Sequence, residues 1–323
     1  MKAALALAAA VVATACGPLF LSEYGVSFAI QLLIFMVLGY SWNIIGGYAG
    51  YPHFGQTSFF GVGAYVGALL MLHAGFHWAA AAAAAGLFGL VIALPLGGVM
   101  LRLKGPYFAI GMFALTRVWE ALAYGWSGLT QGGTGLYLPP AYNLVPIYYV
   151  TGGMAVAMIL LTWWIDNSRF GLQLLAIRED EGAAESLGIK TTRLKITAFT
   201  ISAIAPSACG SLFATYLSFI DPTTAFAPIN ELTTIAMVLF GGLGTVLGPL
   251  VGAVLLSVLN EALWARFQEL YLGMVGVAIA VVVLFMPRGI VNLFAKRGWL
   301  PAGRGAFRRL APGARKEASD GRR

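Results

Sequence analysis

Runs of about 20 apolar residues alternate with short polar connections along the chain, the length a helix needs to cross a roughly 30 Å hydrocarbon core. The pattern predicts helices near 3–22, 26–45, 55–73, 78–101, 106–125, 146–165, 195–219 and 270–287. The stretch 231–263 is too long for one crossing and is interrupted by Gly241-Gly242-Leu243-Gly244-Thr245, so it divides into two short helices, about 231–241 and 247–263. Parity requires the division. If the basic segment 167–195 and the basic carboxyl-terminal stretch both face the cytoplasm, an even number of crossings joins them. The expected fold is an all-α polytopic membrane protein of about ten transmembrane helices, some broken at Gly-rich segments. Residues 1–292 form its transmembrane domain, with 167–195 as a cytoplasmic loop, and 293–323 a basic, disordered cytoplasmic tail.

Composition supports this reading and excludes others. Of 323 residues, 59% are hydrophobic and 10% charged, against about 45–50% and about 25% in a soluble domain. A soluble enzyme, a nucleic-acid binder and a disordered scaffold all fit poorly. The net charge of +7 is concentrated: ten of the twenty Lys and Arg lie from Arg288 onward. Eighteen of the twenty fall in pieces this topology places inside, with only Arg117 and Arg266 elsewhere. That follows the positive-inside bias, puts both termini in the cytoplasm and makes anionic lipid the partner of the tail, with no call for nucleic acid. The first segment has a second reading, since Lys2, an alanine-rich run and Ala13-Thr14-Ala15-Cys16 resemble a cleavable signal peptide. The apolar stretch continues past that point, so it is taken as a retained helix. Cys16 and Cys209 both sit in apolar runs and indicate neither a disulfide framework nor a metal site.

Gly, Pro and small polar residues interrupt the apolar pattern at 46–58 and again at 241–249. Each interruption is either a tight turn at the membrane surface or a helix broken beside a substrate path, because paired Gly/Pro breaks in the two halves of a transporter mark its transport site. Both fall toward the cytoplasm in this topology, whereas an inverted repeat would place them on opposite sides. Arg117 and Glu120 are three apart on one predicted helix and share a face. They form either a structural ion pair or a polar lining, since a charge at that depth faces protein or water. In 167–195, Asp166, Asn167 and Ser168 start one short helix; Glu179, Asp180 and Glu181 favour the amino end of a second, and Gly188 stops it. Such a knob could fit a partner's groove. No catalytic constellation appears. No lysine follows a glycine, so there is no Walker A loop, and His53, His73 and His77 are the only histidines.

Arg169-Phe170-Gly171-Leu172-Gln173, followed by Ala176-Ile177-Arg178-Glu179-Asp180-Glu181-Gly182-Ala183-Ala184-Glu185-Ser186-Leu187-Gly188-Ile189, resembles the cytoplasmic loop of ABC importer permeases for branched-chain amino acids. Gly55-Gln56-Thr57-Ser58, Leu101 to Ile110, Gly132-Gly133-Thr134-Gly135-Leu136, Gly241 to Pro249 and Pro287-Arg288-Gly289 are similar to other stretches of that family, in order, from about 31 to 292. One departure is Gly182, where the loop motif carries glutamate; Glu181 stands one position early.

The resemblance implies an ABC importer permease architecture in the bacterial inner membrane. It also implies a second, non-identical permease subunit, two ATP-binding subunits that use the ATP, and a periplasmic substrate-binding protein. The chain itself would bind no cofactor or metal and hold no catalytic residue. Arg178, Glu179, Asp180, Glu181, Ala183, Ala184 and Gly188 would couple to the ATPase. Gln56, Thr57, Ser58, Tyr107, Arg117 and Glu120 would border a wide, mostly apolar path for branched-chain amino acids. A permease for urea or short amides shares these motifs. An ion-coupled carrier would need more buried acids than Glu120, Glu231 and Glu261.

Overall fold

The computed structural model describes residues 21–140 and 142–266, together with Gly17, Pro18, Gly273, Gly276 and Ile290. The expected helices 3–22 and 270–287 fall almost wholly outside the described residues, as do the tail 293–323 and its boundary at 292. The chain runs through α1 (Glu23–Trp42), a π-helical turn (Asn43–Tyr48), α2 (Gln56–Ala74), α3 (Trp78–Met100) and α4 (Pro106–Gly125). After the one-turn α5 (Ser127–Thr130) and β1 (Leu136–Tyr137) come α6 (Val145–Asn167), α7 (Arg169–Glu179), α8 (Glu181–Ser186) and α9 (Thr191–Leu217). The last elements are β2 (Phe219–Ile220), α10 (Pro222–Ala225), α11 (Pro228–Gly241) and α12 (Gly248–Arg266).

Local chemistry sets the helix starts. Ser22 caps α1 by accepting from the Gly25 N–H, and His77 caps α3 through Ala79. Proline is the first residue of α4, α10 and α11, where its missing N–H costs nothing. Six described segments are long and apolar enough to cross a membrane: Glu23–Tyr48, Gln56–Ala74, Trp78–Met100, Val145–Asn167, Thr191–Leu217 and Pro222–Gly241. The expected count of ten is therefore not reached among the described residues. The helix carrying Arg117 and Glu120 is long enough but less apolar, and the apolar part of α12, Gly248–Leu263, is shorter.

The centre of the bundle is α9, packed along α2 on one side and α3 on the other. Small residues make the approach possible. A Cβ on Gly63 would overlap the Ser207 backbone, and one on Gly210 would overlap Phe60. Helices that meet in lipid gain most from such backbone-to-backbone contact, because apolar side chains are equally content against lipid tails. On the outer faces, Leu87, Val91 and Val99 of α3 and Ile110 and Val118 of α4 are each more than half exposed. Such a continuous apolar surface calls for lipid or another apolar chain.

Two expectations are corrected at the edges of the fold. It is not purely helical: β1 and β2 form an antiparallel pair, Leu136 opposite Ile220 and Tyr137 opposite Phe219. Gly135, at φ 74°, packs its bare Cα against Phe219 and lets the two connections meet. The loop 167–195 is also shorter than expected, since α9 already begins at Thr191, whose hydroxyl donates to Glu185 Oε1 at 2.6 Å.

Candidate functional site

Both glycine breaks are real, and they touch. The first opens with the π-helical turn, a wide and rare geometry that often marks functional positions. Its non-helical part is 49–55, so Gly46, Gly47 and Tyr48 before it and Gln56, Thr57 and Ser58 after it are helical, a narrower break than 46–58. The second spans 242–247. Asn43 joins them: its Oδ1 accepts the Gly244 N–H at 2.8 Å and its Nδ2 donates to the Thr245 carbonyl at 3.2 Å. Tyr40 adds a hydroxyl bond to the Val246 carbonyl at 2.7 Å. Gly47 lies so close to Asn43 and the Gly244 nitrogen that no Cβ would fit. The two breaks thus form one joint at one end of the bundle, not two sites at opposite ends.

The loop docks on this joint. Ser168 and Asp180 cap α7 and α8, accepting from Gly171 at 3.1 Å and Ala183 at 2.9 Å. Leu174, Ile177 and Ala184 are buried beneath the two short helices. Arg178 Nη1 donates to the Gly47 carbonyl at 2.6 Å and lies beside Gly244, so one side chain spans both breaks. A second clasp joins loop, break and α9. Lys195 Nζ donates to Glu181 Oε1 at 2.5 Å and to the Tyr51 hydroxyl at 2.9 Å, while Tyr51 donates to Glu181 Oε2 at 2.6 Å. Burial alone would raise the Glu181 carboxyl, but the hydrogen bonds from Lys195 and Tyr51 and the Lys195 and Lys104 charges hold it below its ordinary value. Burial, the bond to Glu181 and the nearby Glu181 and Glu185 charges push the Tyr51 phenol up.

The seven loop residues therefore divide. Arg178 and Glu181 act inward, Asp180 caps, Ala184 is covered, and Glu179, Ala183 and Gly188 face outward. Leu187 was not singled out by its sequence, yet at 81% exposed it is the most protruding apolar side chain of the knob.

The polar trio after the first break is buried and committed to other helices. Gln56 Nε2 donates to the Leu38 carbonyl at 2.7 Å, and Ser58 shares a 2.6 Å hydroxyl bond with Thr116. Thr57 donates both its backbone N–H and its hydroxyl to Glu231 Oε2, each at 2.8 Å. The N-cap residue of α2, Gly55, has no side chain to offer, so the acid on α11 supplies the cap from outside. Sequence reading placed Glu231 only near a helix end; the signal available was an acid in an otherwise apolar run. Arg117 pairs with Glu120 and donates to the Phe226 carbonyl just past α10, so the pair ties α4 to that turn. Tyr107 stands apart, exposed at the start of α4. His53 packs the first break from within, stacked 5.5 Å from Phe199, and among the described residues no group of three metal-binding side chains forms.

The family described as Branched-chain amino acid transport system / permease component matches residues 24–286. The chain is 28% identical to the High-affinity branched-chain amino acid transport system permease protein LivM of Salmonella typhimurium, over 91% of this chain and 76% of that protein. The LivM protein of Escherichia coli gives the same identity and coverage. The Autoinducer 2 import system permease protein LsrC of Yersinia pseudotuberculosis is 30% identical over 60% of this chain and 57% of its own length. No solved structure matches.

Proposed function

From its membership of the branched-chain amino acid permease family of ABC importers, we propose that this chain is a membrane-spanning subunit that passes branched-chain or related hydrophobic amino acids into the cell by alternating access. It works in the bacterial inner membrane with both termini in the cytoplasm. A second, unlike permease completes the path, two ATP-binding subunits supply the power and use the ATP, and a periplasmic binding protein delivers the solute.

The observation that carries this reading is the bond from Arg178 to the Gly47 carbonyl. The segment facing the ATP-binding subunits grips the place where two helices are already broken. ATP changes the affinity of those subunits for one position of the knob, and only such a difference between states can drive switching. The Lys195–Glu181–Tyr51 clasp moves with the knob and pulls on α9 as well as on the first break. On this scheme Gln56, Thr57 and Ser58 hold the start of α2 in register while the joint rearranges. Leu187 and Glu179 meet the ATP-binding subunit. Arg117 and Glu120 lock the outer turn.

The test is reconstitution of the chain with its second permease, ATP-binding subunits and binding protein in proteoliposomes. ATP-dependent uptake of labelled leucine, with urea excluded, is expected. Uptake of urea without leucine would overturn the solute assignment, and leucine uptake by the single chain along an ion gradient would overturn the mechanism.

A further inference from the structure

At the end of the bundle remote from the loop lies a cavity of about 500 Å³ between α1, α9, α11 and α12. Tyr216, on its wall, is the last residue but one of the 27-residue α9, about 37 Å along that axis from the loop. The volume is within the roughly 300–1,000 Å³ of small-molecule sites. Its lining is chemically divided. Phe28, Leu32, Phe35 and Ile229 form an apolar wall. Thr233 and Ser257, both buried, bring hydroxyls, and Asn230 brings an amide. Asn260 and Glu261 supply acceptors at the rim, where the Tyr24 hydroxyl donates to one Glu261 oxygen.

Two features of this lining point to a ligand. Among the described residues no Lys, Arg or His contributes to it, so none of them sets a cation beside the Glu261 carboxylate within the cavity. The neighbouring Asn260 Oδ1 is buried and without a hydrogen-bond partner. Beyond the Tyr24 bond the carboxylate can accept further donors, and the buried carbonyl oxygen beside it has none, which is costly for a buried acceptor. An ammonium group has three donors and a positive charge. The Ser257 hydroxyl one turn earlier on α12, and the Asn230 amide and Thr233 hydroxyl on α11, can donate to a carboxylate, and the aromatic and aliphatic wall suits an apolar side chain.

Resting on the transport reading above, we infer that this cavity is the outer holding site for the solute, an apolar amino acid bound as its zwitterion. The ammonium sits between Glu261 and Asn260 Oδ1, the carboxylate meets Thr233, Ser257 and Asn230, and the side chain lies along Phe28, Leu32 and Phe35.

The experiment uses the full chain in lipid nanodiscs, with Cys16 and Cys209 replaced and S257C as a reporter; T233C is a second reporter should the first fail to assemble. The rate of thiol modification by a small methanethiosulfonate is measured with L-leucine, 4-methylpentanoate or isoamylamine. Leucine at ten times its dissociation constant leaves about one site in eleven free, so modification slows about tenfold. 4-Methylpentanoate, without the ammonium, and isoamylamine, without the carboxylate, protect far less, and E261Q removes the protection by leucine. Equal protection by isoamylamine would overturn the zwitterion assignment. A thiol that reacts at one rate with every solute, or never reacts, would overturn the site. ATP-driven leucine uptake by the complete importer is measured in parallel. If it persists while protection is absent, this inference alone has failed.

Discussion

The seam where α2 and α3 lie on α9 and the joint where the two glycine breaks meet are both made of small residues, yet they are built to opposite ends. In the seam, glycine faces serine or backbone on a neighbouring helix over several turns, and the contact is spread evenly. Dispersion of that kind is lost gradually and only by pulling whole helices apart. The joint has no helical backbone across it and rests on a few directional bonds, from Asn43, Tyr40 and Arg178, to carbonyls and N–H groups that regular helix would have used internally. Such bonds can be exchanged one at a time. The same amino acid serves as mortar in one region and as hinge in the other, and its neighbours decide which.

The largest effect is expected from attacking the seam. Gly63→Leu drives a side chain into the Ser207 backbone and should cost about 3 kcal/mol, the upper end for overpacking. Loss of the monodisperse peak in detergent chromatography is the readout. Folding with unimpaired yield would mean that the seam is not rigid.

Next comes Lys195→Met, which removes the charged partner that Glu181 and Tyr51 share. Charged hydrogen bonds are worth about 1.5–3 kcal/mol, so the knob should loosen while the bundle, and hence the yield, survives. Substrate-stimulated ATPase activity of the assembled importer would fall. The same clasp gives a pH signature. Because the Glu181 carboxyl is held below its ordinary value, its contribution is full above about pH 4.3 and is lost as the pH falls through the lowered one. Protection of the 180–188 amides, taken relative to their intrinsic exchange rates at each pH, should therefore be flat from neutrality to mild acid and fall only below it, and E181Q should abolish the fall.

Arg178→Ala should cost less, about 1.5 kcal/mol, the lower end for one charged bond where Lys195 makes two. Basal ATP hydrolysis would continue without transport, and Arg178→Lys would restore part of the coupling. The smallest effect on the fold belongs to Leu187→Ser, within about 0.5 kcal/mol as for other surface changes. Its signature is weaker pull-down of the ATP-binding subunits.

The helices that make the seam were legible in the sequence, their close packing was not, and the joint was only half so. Helix spans follow from apolar run length, and the caps at Ser168 and Asp180 reach backbone three residues away, so a local pattern contains them. The broken segments were visible as glycine clusters. That they meet was not, because Asn43 and Gly244 are 201 positions apart and nothing in either neighbourhood names the other. Lys195 and Glu181 read as loop charges for the same reason: burial is decided by where α9 begins, one turn earlier than hydropathy indicated. The outer strands escaped notice because two residues carry no period.

The bond from Thr57 to Glu231 has a consequence for descent. Since α2 borrows its terminal acceptor from α11, position 231 is not free to drift alone. A lineage that replaces the acid at 231 leaves a bare N–H in the bilayer unless a residue near 55 takes over the duty within the same step. The acid at 231 and the residue that caps α2 should accordingly be inherited as a couple across relatives, far apart in the chain but changing together.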